Sequence, residues 1–296
     1  MRTRRTDLAL ESRELWQESS GQEGRLEGVE AQAREREGIP VTAVRVLDER
    51  GSRALGRPVG TYVTLELEGL SRREDGIFNR AAEAIAAELG SMLDRLAPTG
   101  LVLVAGLGNR AITPDAIGPL VHQHTLVTRH LVAQLPEQFG FMRPVASLAA
   151  EVLGSTGVES GEVVRAVCEK IKPACVIAVD ALASRSLKRL CRTVQLSDTG
   201  ITPGSGVGNH RFTLDQKHLG VPVIAVGVPT VVEGSTLAAD LLDLEEPPKL
   251  EGDREMLVTT RDIDSQVADL GKLVGYGLSL ALQPQLEPED LELLLS

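Results

Sequence analysis

Three short apolar runs constrain this chain more than any other feature: Leu101-Val102-Leu103-Val104-Ala105, Cys175-Val176-Ile177-Ala178-Val179 and Pro222-Val223-Ile224-Ala225-Val226. Each is rich in β-branched residues, and each is bounded by Gly, Pro or Asp. Runs without polar alternation are expected of strands buried on both faces, as in a parallel sheet covered by helices. Residues 79–96 carry apolar side chains at helical spacing, at Ala82, Ile85, Ala86, Leu89, Leu93 and Leu96, and Pro98 and Gly100 follow as stop signals. Residues 159–171 and 262–282 read as further helices, the first with Thr156-Gly157-Val158-Glu159 as a capping box. Strands alternating with helices predict an α/β fold, with a mostly parallel sheet flanked by helices. Residues 41–47 and 62–68 alternate apolar and polar, so a small β-containing region is added ahead of it, with 51–60 as the loop between. Aromatic residues make up only 2% of the chain, so the core is built from Val, Leu, Ile and Ala.

The 296 residues carry a net charge of −11, which argues against a basic nucleic-acid-binding face and would attract basic protein substrates. No stretch reaches the roughly 18 apolar residues of a membrane span. The basic N-terminus lacks an apolar segment behind it, so no secretory leader is expected and the chain is placed in the cytoplasm. Cys168, Cys175 and Cys191 fit neither a zinc motif nor a redox pair and read as reduced, partly buried thiols. Residues 1–38 are charged and poor in large apolar residues, as in an exposed arm. Residues 243–254, with Pro247-Pro248, read as a surface loop.

Sites in open parallel sheets gather beyond the carboxyl ends of the strands. There the first run leads into Gly106-Leu107-Gly108-Asn109-Arg110-Ala111-Ile112-Thr113-Pro114-Asp115. The second leads into Asp180-Ala181-Leu182-Ala183-Ser184-Arg185-Ser186, and the third into Gly227-Val228-Pro229-Thr230. Gly106-x-Gly108 resembles a dinucleotide fingerprint but lacks the acidic residue expected about 20 positions on. Asp198-Thr199-Gly200 has the letters of a pepsin-type motif, in one copy and in the wrong fold class, and reads as a turn. His122, His124 and His130 lack the spacing of a helical metal pair. Asp115 and Asp180, at two strand ends, are the candidates for acid–base chemistry on one rim. The alternative, that each caps a helix, stays open on spacing alone.

These segments together resemble the spore germination proteases. The likeness is carried by Gly106 to Asn109, Thr113-Pro114-Asp115, Val179 to Ser186, Ser197 to Ile201, Pro203 to Asn209, and Gly227 to Val232. The start, Arg5-Thr6-Asp7-Leu8-Ala9-Leu10-Glu11, also resembles that of the family. The resemblance implies a fold akin to the hydrogenase maturation proteases. It also implies an atypical aspartic endopeptidase that degrades small acid-soluble spore proteins, made as a self-cleaving zymogen and assembled as a homotetramer in the forespore and spore core. Its two essential aspartates correspond to Asp115 and Asp180. Supporting or substrate-binding positions would be Asp198, Gly106, Gly108, Asn109, Gly206 and Asn209; the Arg185 guanidinium suits the acidic residue before the cut, with an ordinary structural ion pair as the open alternative. No metal or other cofactor is implied, although matching positions of the maturation proteases bind metal.

The family cuts between an acidic and a large apolar residue followed by Ala. Asp7-Leu8-Ala9 is the only such triplet here, so cleavage between Asp7 and Leu8 would remove a pro-segment of residues 1–7 and leave one domain, 8–296. Two other readings are a metal-dependent maturation endopeptidase on the same fold and a non-catalytic peptide- or nucleotide-binding module.

Overall fold

The protein is described here from a computed structural model, which covers residues 4–20, 26–203, 212–244, 246–248 and 256–295. Its centre is a nine-stranded mixed sheet. The strands are β1 (Val29–Arg36), β2 (Ile39–Val46), β3 (Gly60–Glu66), β4 (Val102–Gly106), β5 (Val145–Ala149), β6 (Cys175–Ser184), β7 (Thr193–Ser197), β8 (Val223–Glu233) and β9 (Leu257–Val258). Their order is β1-β2-β3-β7-β8-β6-β4-β5, with β9 paired to the far end of β8. The three apolar runs become β4, β6 and β8, which pair parallel with one another and with β5. On the other side of β8 every pairing is antiparallel. The small β region expected from residues 41–68 thus extends the parallel half into a single sheet.

Alternation along the strands explains the core. Val102, Val104, Ile177, Val179, Ile224 and Val226 face the helices Ile77–Leu96 and Ile263–Leu282, and all are buried. Leu103, Ala105, Val176, Ala178 and Val223 face the other way, toward Val164 and Cys168 of the helix Ser160–Ile171. Both faces of the parallel half are therefore dry, as continuous apolar strands require. Over the antiparallel half, Val29, Val44, Val46 and Tyr62 are covered by Ala9 and Leu55.

Residues 8–38, read from composition as an exposed arm, hold two ordered elements. The helix Ala9–Ser20 begins with Leu8, Ala9, Leu10 and Glu11 all buried. β1 is an edge strand with a mostly exposed, charged sequence, which blunts edge-to-edge association. Arg34 and Arg36 of β1 both pair with Glu88, a carboxylate only 3% exposed on the helix Ile77–Leu96. The stretch 51–60, expected as a loop, begins inside the helix Glu49–Leu55. Asp48 caps that helix by accepting from the Arg50 and Gly51 amides, and Gly56 ends it in the left-handed region. The expected capping box at Thr156 does not form: the helix starts at Ser160 with Glu159 as its N-cap, and Thr156 accepts from the Val158 amide instead.

All three cysteines are buried and free. Burial pushes the Cys168 and Cys175 thiols up to about 11 and the Cys191 thiol up to about 12. Because the thiolate is the reactive form, a thiol reagent at about pH 8 is expected to label none of them in the folded chain. All three should be labelled after unfolding, and a rapidly labelled thiol in the folded protein would contradict this burial. Among the described residues, no helix is long and apolar enough to cross a membrane.

Candidate active site

β4 ends at Gly106, which is level with Val179 of β6, while β6 runs on to Ser184. Asp180 therefore lies within β6, one residue beyond the point where its neighbour stops, and is only 5% exposed. Its Oδ1 accepts from the Ala181 amide at 2.9 Å. On the other side, Gly227 of β8 is its register partner.

Asp115 closes a single 3-10 turn, Thr113–Asp115, and is half-buried. Its Oδ2 accepts from the Asn109 amide at 2.8 Å, and Asn109 Oδ1 accepts from the Ala111 amide at 2.9 Å, which folds the connection. Gly108, at φ +104°, has its α-carbon so close to Asp115 that a Cβ would lie 2.1 Å from the Asp115 carbonyl oxygen. The Leu107 amide donates to the Val179 carbonyl at 2.8 Å. A short path of contacts thus runs from Asp115 through residues 107–109 to the residue preceding Asp180. The two carboxylates share the carboxyl-end rim of β4 and β6, where the topology places a site.

Three further features hold this rim. The helix Ile117–Gln123 approaches the strands backbone to backbone: a Cβ on Gly106 would lie 2.2 Å from the Gly118 carbonyl oxygen. One on Gly118 would lie 2.2 Å from the Leu107 carbonyl oxygen and 2.7 Å from that of Val179. Gly106 thus packs on Gly118, and Gly108 on Asp115. The third feature, Thr230, escaped the sequence reading of roles. Leu182 pairs with Pro229 and Ala183 with Val231, so Thr230 stands out of register between them. It is fully buried, and its hydroxyl donates to the Pro114 carbonyl at 2.6 Å, directly before Asp115. Thr230→Val, which removes the donor but keeps the shape, is expected to lower kcat about tenfold, in line with the loss of one buried hydrogen bond. Thr230→Ser should restore most of it. Equal activity of the Val variant would show that the bond does not hold the turn in place.

The remaining expected residues lie elsewhere. Asp198 follows β7, which is antiparallel to β8. Gln195 and Asp180 both register with Gly227, so Asp198 sits three residues, about 10 Å, toward the amino ends of the parallel strands. Its carboxylate accepts from the Thr61 amide at 2.7 Å and pairs with Arg95 at 2.7 Å, fastening the start of β3. Arg185 donates to Asp240 at 3.1 Å and Glu18 at 3.0 Å within the chain. Gly206 and Asn209 lie outside the described residues, as does His210. His122 Nδ1 lies 2.7 Å from Ser147 Oγ on β5, and burial, aided by Arg110, lowers its pKa. Among the described residues, no group of three His, Cys, Asp or Glu side chains is arranged to hold a metal ion.

Asp7 and Leu8 are clamped on the extension of β6. The Asp7 amide donates to the Ala183 carbonyl at 2.8 Å, and the Ala183 amide donates to Asp7 Oδ2 at 2.8 Å. Gln195, buried on β7, donates to the Asp7 carbonyl at 3.2 Å and accepts from the Ala9 amide at 2.8 Å. Leu8 between them is fully buried. Nothing in Thr193-Val194-Gln195-Leu196-Ser197 marks Gln195 beyond alternation of polar and apolar residues along the strand. A broad open basin of about 2180 Å³ adjoins this segment, between Arg4–Asp7, the 185–192 turn and residues 233–247, and neither Asp115 nor Asp180 lines it.

Comparison with known proteins points to one family. The family profile described as germination protease matches residues 9–245. A germination protease of Caldanaerobacter subterraneus subsp. tengcongensis is 41% identical, across 98% of each chain. One from Clostridium perfringens is 39% identical across 97% of each, and one from Bacillus cereus is 44% identical over 81% of this chain and 66% of its own. Among solved structures, a [NiFe] hydrogenase maturation protease HycI from Thermococcus kodakarensis matches 64% of this chain and 98% of its own, with 17% identity and a TM-score of 0.37. With a profile matching most of the chain and relatives of this identity along nearly its whole length, the protein belongs to the germination protease family and is a peptidase of germination.

Proposed function

We propose that the chain is an endopeptidase of aspartic type that starts the degradation of small acid-soluble spore proteins at germination. The observation that carries this is the delivery of Asp115 and Asp180 to one rim by adjacent strand ends. With two carboxylates on one rim, one can hold a water as general base while the other donates a proton to the leaving amine. Asn109, Gly106 and Gly108 support Asp115, and no metal or other cofactor takes part. A net charge of −11 favours approach of basic substrates. The chain would work as a homotetramer in the forespore and spore core.

The same reading makes residues 1–7 a pro-segment removed by self-cleavage between Asp7 and Leu8, leaving 8–296 as the working domain. Asp7-Leu8-Ala9 has the required acidic, apolar and Ala order. The Asp7–Leu8 bond is also held by Ala183 and Gln195 with Leu8 buried, so the segment must leave this seat before it is cut. Intact mass of the purified protein, alone and as Asp115→Asn and Asp180→Asn, tests this. Loss of residues 1–7 from the wild type alone is the expected result. Equal processing of all three would remove the aspartates from the reaction.

A further inference from the structure

Glu11 is fully buried in the first turn of the helix Ala9–Ser20. Its Oε2 accepts from Thr6 Oγ1 at 2.5 Å and from the Arg185 amide at 2.6 Å. Its Oε1 accepts from the Ser186 amide at 3.2 Å and from Arg189 at 3.4 Å. Arg189 is held mainly by Glu14, at 2.6 and 2.7 Å, so Glu11 is not fully neutralised by it. The Thr6 hydroxyl has a second contact, accepting from the Leu8 amide at 3.0 Å. One oxygen therefore relays the Leu8 nitrogen to the Glu11 carboxylate.

A cut between Asp7 and Leu8 removes Thr6 and converts the Leu8 amide into an ammonium. The contacts that hold residue 8 from its other side survive the cut. Ser12 donates to the Leu8 carbonyl at 3.0 Å through its amide, and the Ala9 amide stays on Gln195. When the cut segment returns to its seat, the new charge sits at a residue that is now fully buried, ahead of a helix N-terminus that disfavours cations. A desolvated charge must be paired or driven out. Glu11 has just lost its hydroxyl partner on the facing oxygen, and Arg57, the other nearby cation, has lost the Thr6 carbonyl.

We infer that Glu11 is the receptor for the α-ammonium created at Leu8, replacing the Thr6 hydroxyl with a direct ion pair that keeps the N-terminal helix fastened to the Arg185–Ser186 turn after processing. Glu11 is a positioning residue here, and the inference rests on the Asp7–Leu8 cut proposed above. It can be tested without self-cleavage, on chains prepared to begin at Leu8. Labelling of the α-amine by an acylating ester, located by mass of the N-terminal peptide, is compared with the same chain unfolded. An ion-paired amine is held protonated, so at about pH 7.5 it should react about tenfold more slowly than the unfolded amine, whose pKa is near 8.

Two variants sharpen the result. Glu11→Gln, confirmed folded by circular dichroism, should react at the unfolded rate. So should a chain with one extra alanine before Leu8, which keeps Glu11 intact but carries the amine out of reach. A Leu8 amine that reacts as fast as the unfolded control, or protection that persists in folded Glu11→Gln, would overturn the inference. A protected amine in a chain that hydrolyses no spore protein upholds the ion pair and removes the proposed function instead.

Discussion

Asp115→Asn and Asp180→Asn are each expected to lower hydrolysis of a small acid-soluble spore protein, the substrate proposed above, by about 10² to 10⁴, the range of a positioned acid or base. Asparagine keeps the acceptor that Asp115 offers to the Asn109 amide and that Asp180 offers to the Ala181 amide, so the fold should survive. The double variant should be about as inactive as either single one, because the two groups act as a unit and their losses do not add. Initial rates on a fixed substrate, with circular dichroism beside them, measure this. A single variant that retains half the wild-type rate would remove that aspartate from the chemistry. Losses that multiply in the double variant would show two independent roles.

The second large effect concerns stability. Gly118→Ala would place a methyl 2.2 Å from the Leu107 carbonyl oxygen and 2.4 Å from its nitrogen, with the Val179 carbonyl at 2.7 Å. All three are main-chain atoms of the central strands or their continuation, which cannot swing aside as a side chain would. The helix Ile117–Gln123 must back away, at an expected cost of about 3 kcal/mol or more, the upper part of the range for overpacked cores. The retreat carries Asp115 with it, so activity should fall further than stability does. Denaturant titration and kcat together give the test. A variant as stable as the wild type would mean that the helix moves freely against the sheet.

Much of this was legible in the chain itself, for a physical reason. Strands buried on both faces cannot tolerate polar side chains, so β4, β6 and β8 announce themselves as unbroken apolar runs, and the rim beyond them follows from topology. The placing of Asp115 and Asp180 on that rim follows for the same reason, whereas their proposed chemistry rests on the family resemblance. Less legible was how far β6 runs: Asp180, expected past the strand, is embedded in it, because β6 continues after β4 stops. The helix Glu49–Leu55 depends on a single side-chain cap at Asp48, and the burial of Leu8 to Glu11 depends on partners nearly two hundred residues away. Neither leaves a periodic signal. Thr230 falls in the same class: its role arises from a one-residue slip between β6 and β8, which no local pattern encodes.

The seat of the N-terminal segment has a consequence for how the protein is made. Asp7, Ala9 and Glu11 rest on Ala183, Gln195, Arg185 and Ser186, so this segment is synthesised long before the residues that seat it. Contacts of such long sequence separation form late and slowly. At synthesis rates of about 5 to 20 residues per second, the Asp7–Leu8 bond stays open to solvent for about 10 to 40 s before its clamp exists. Under the proposed Asp7–Leu8 processing, a nascent chain would offer that bond to any processed copy during this interval.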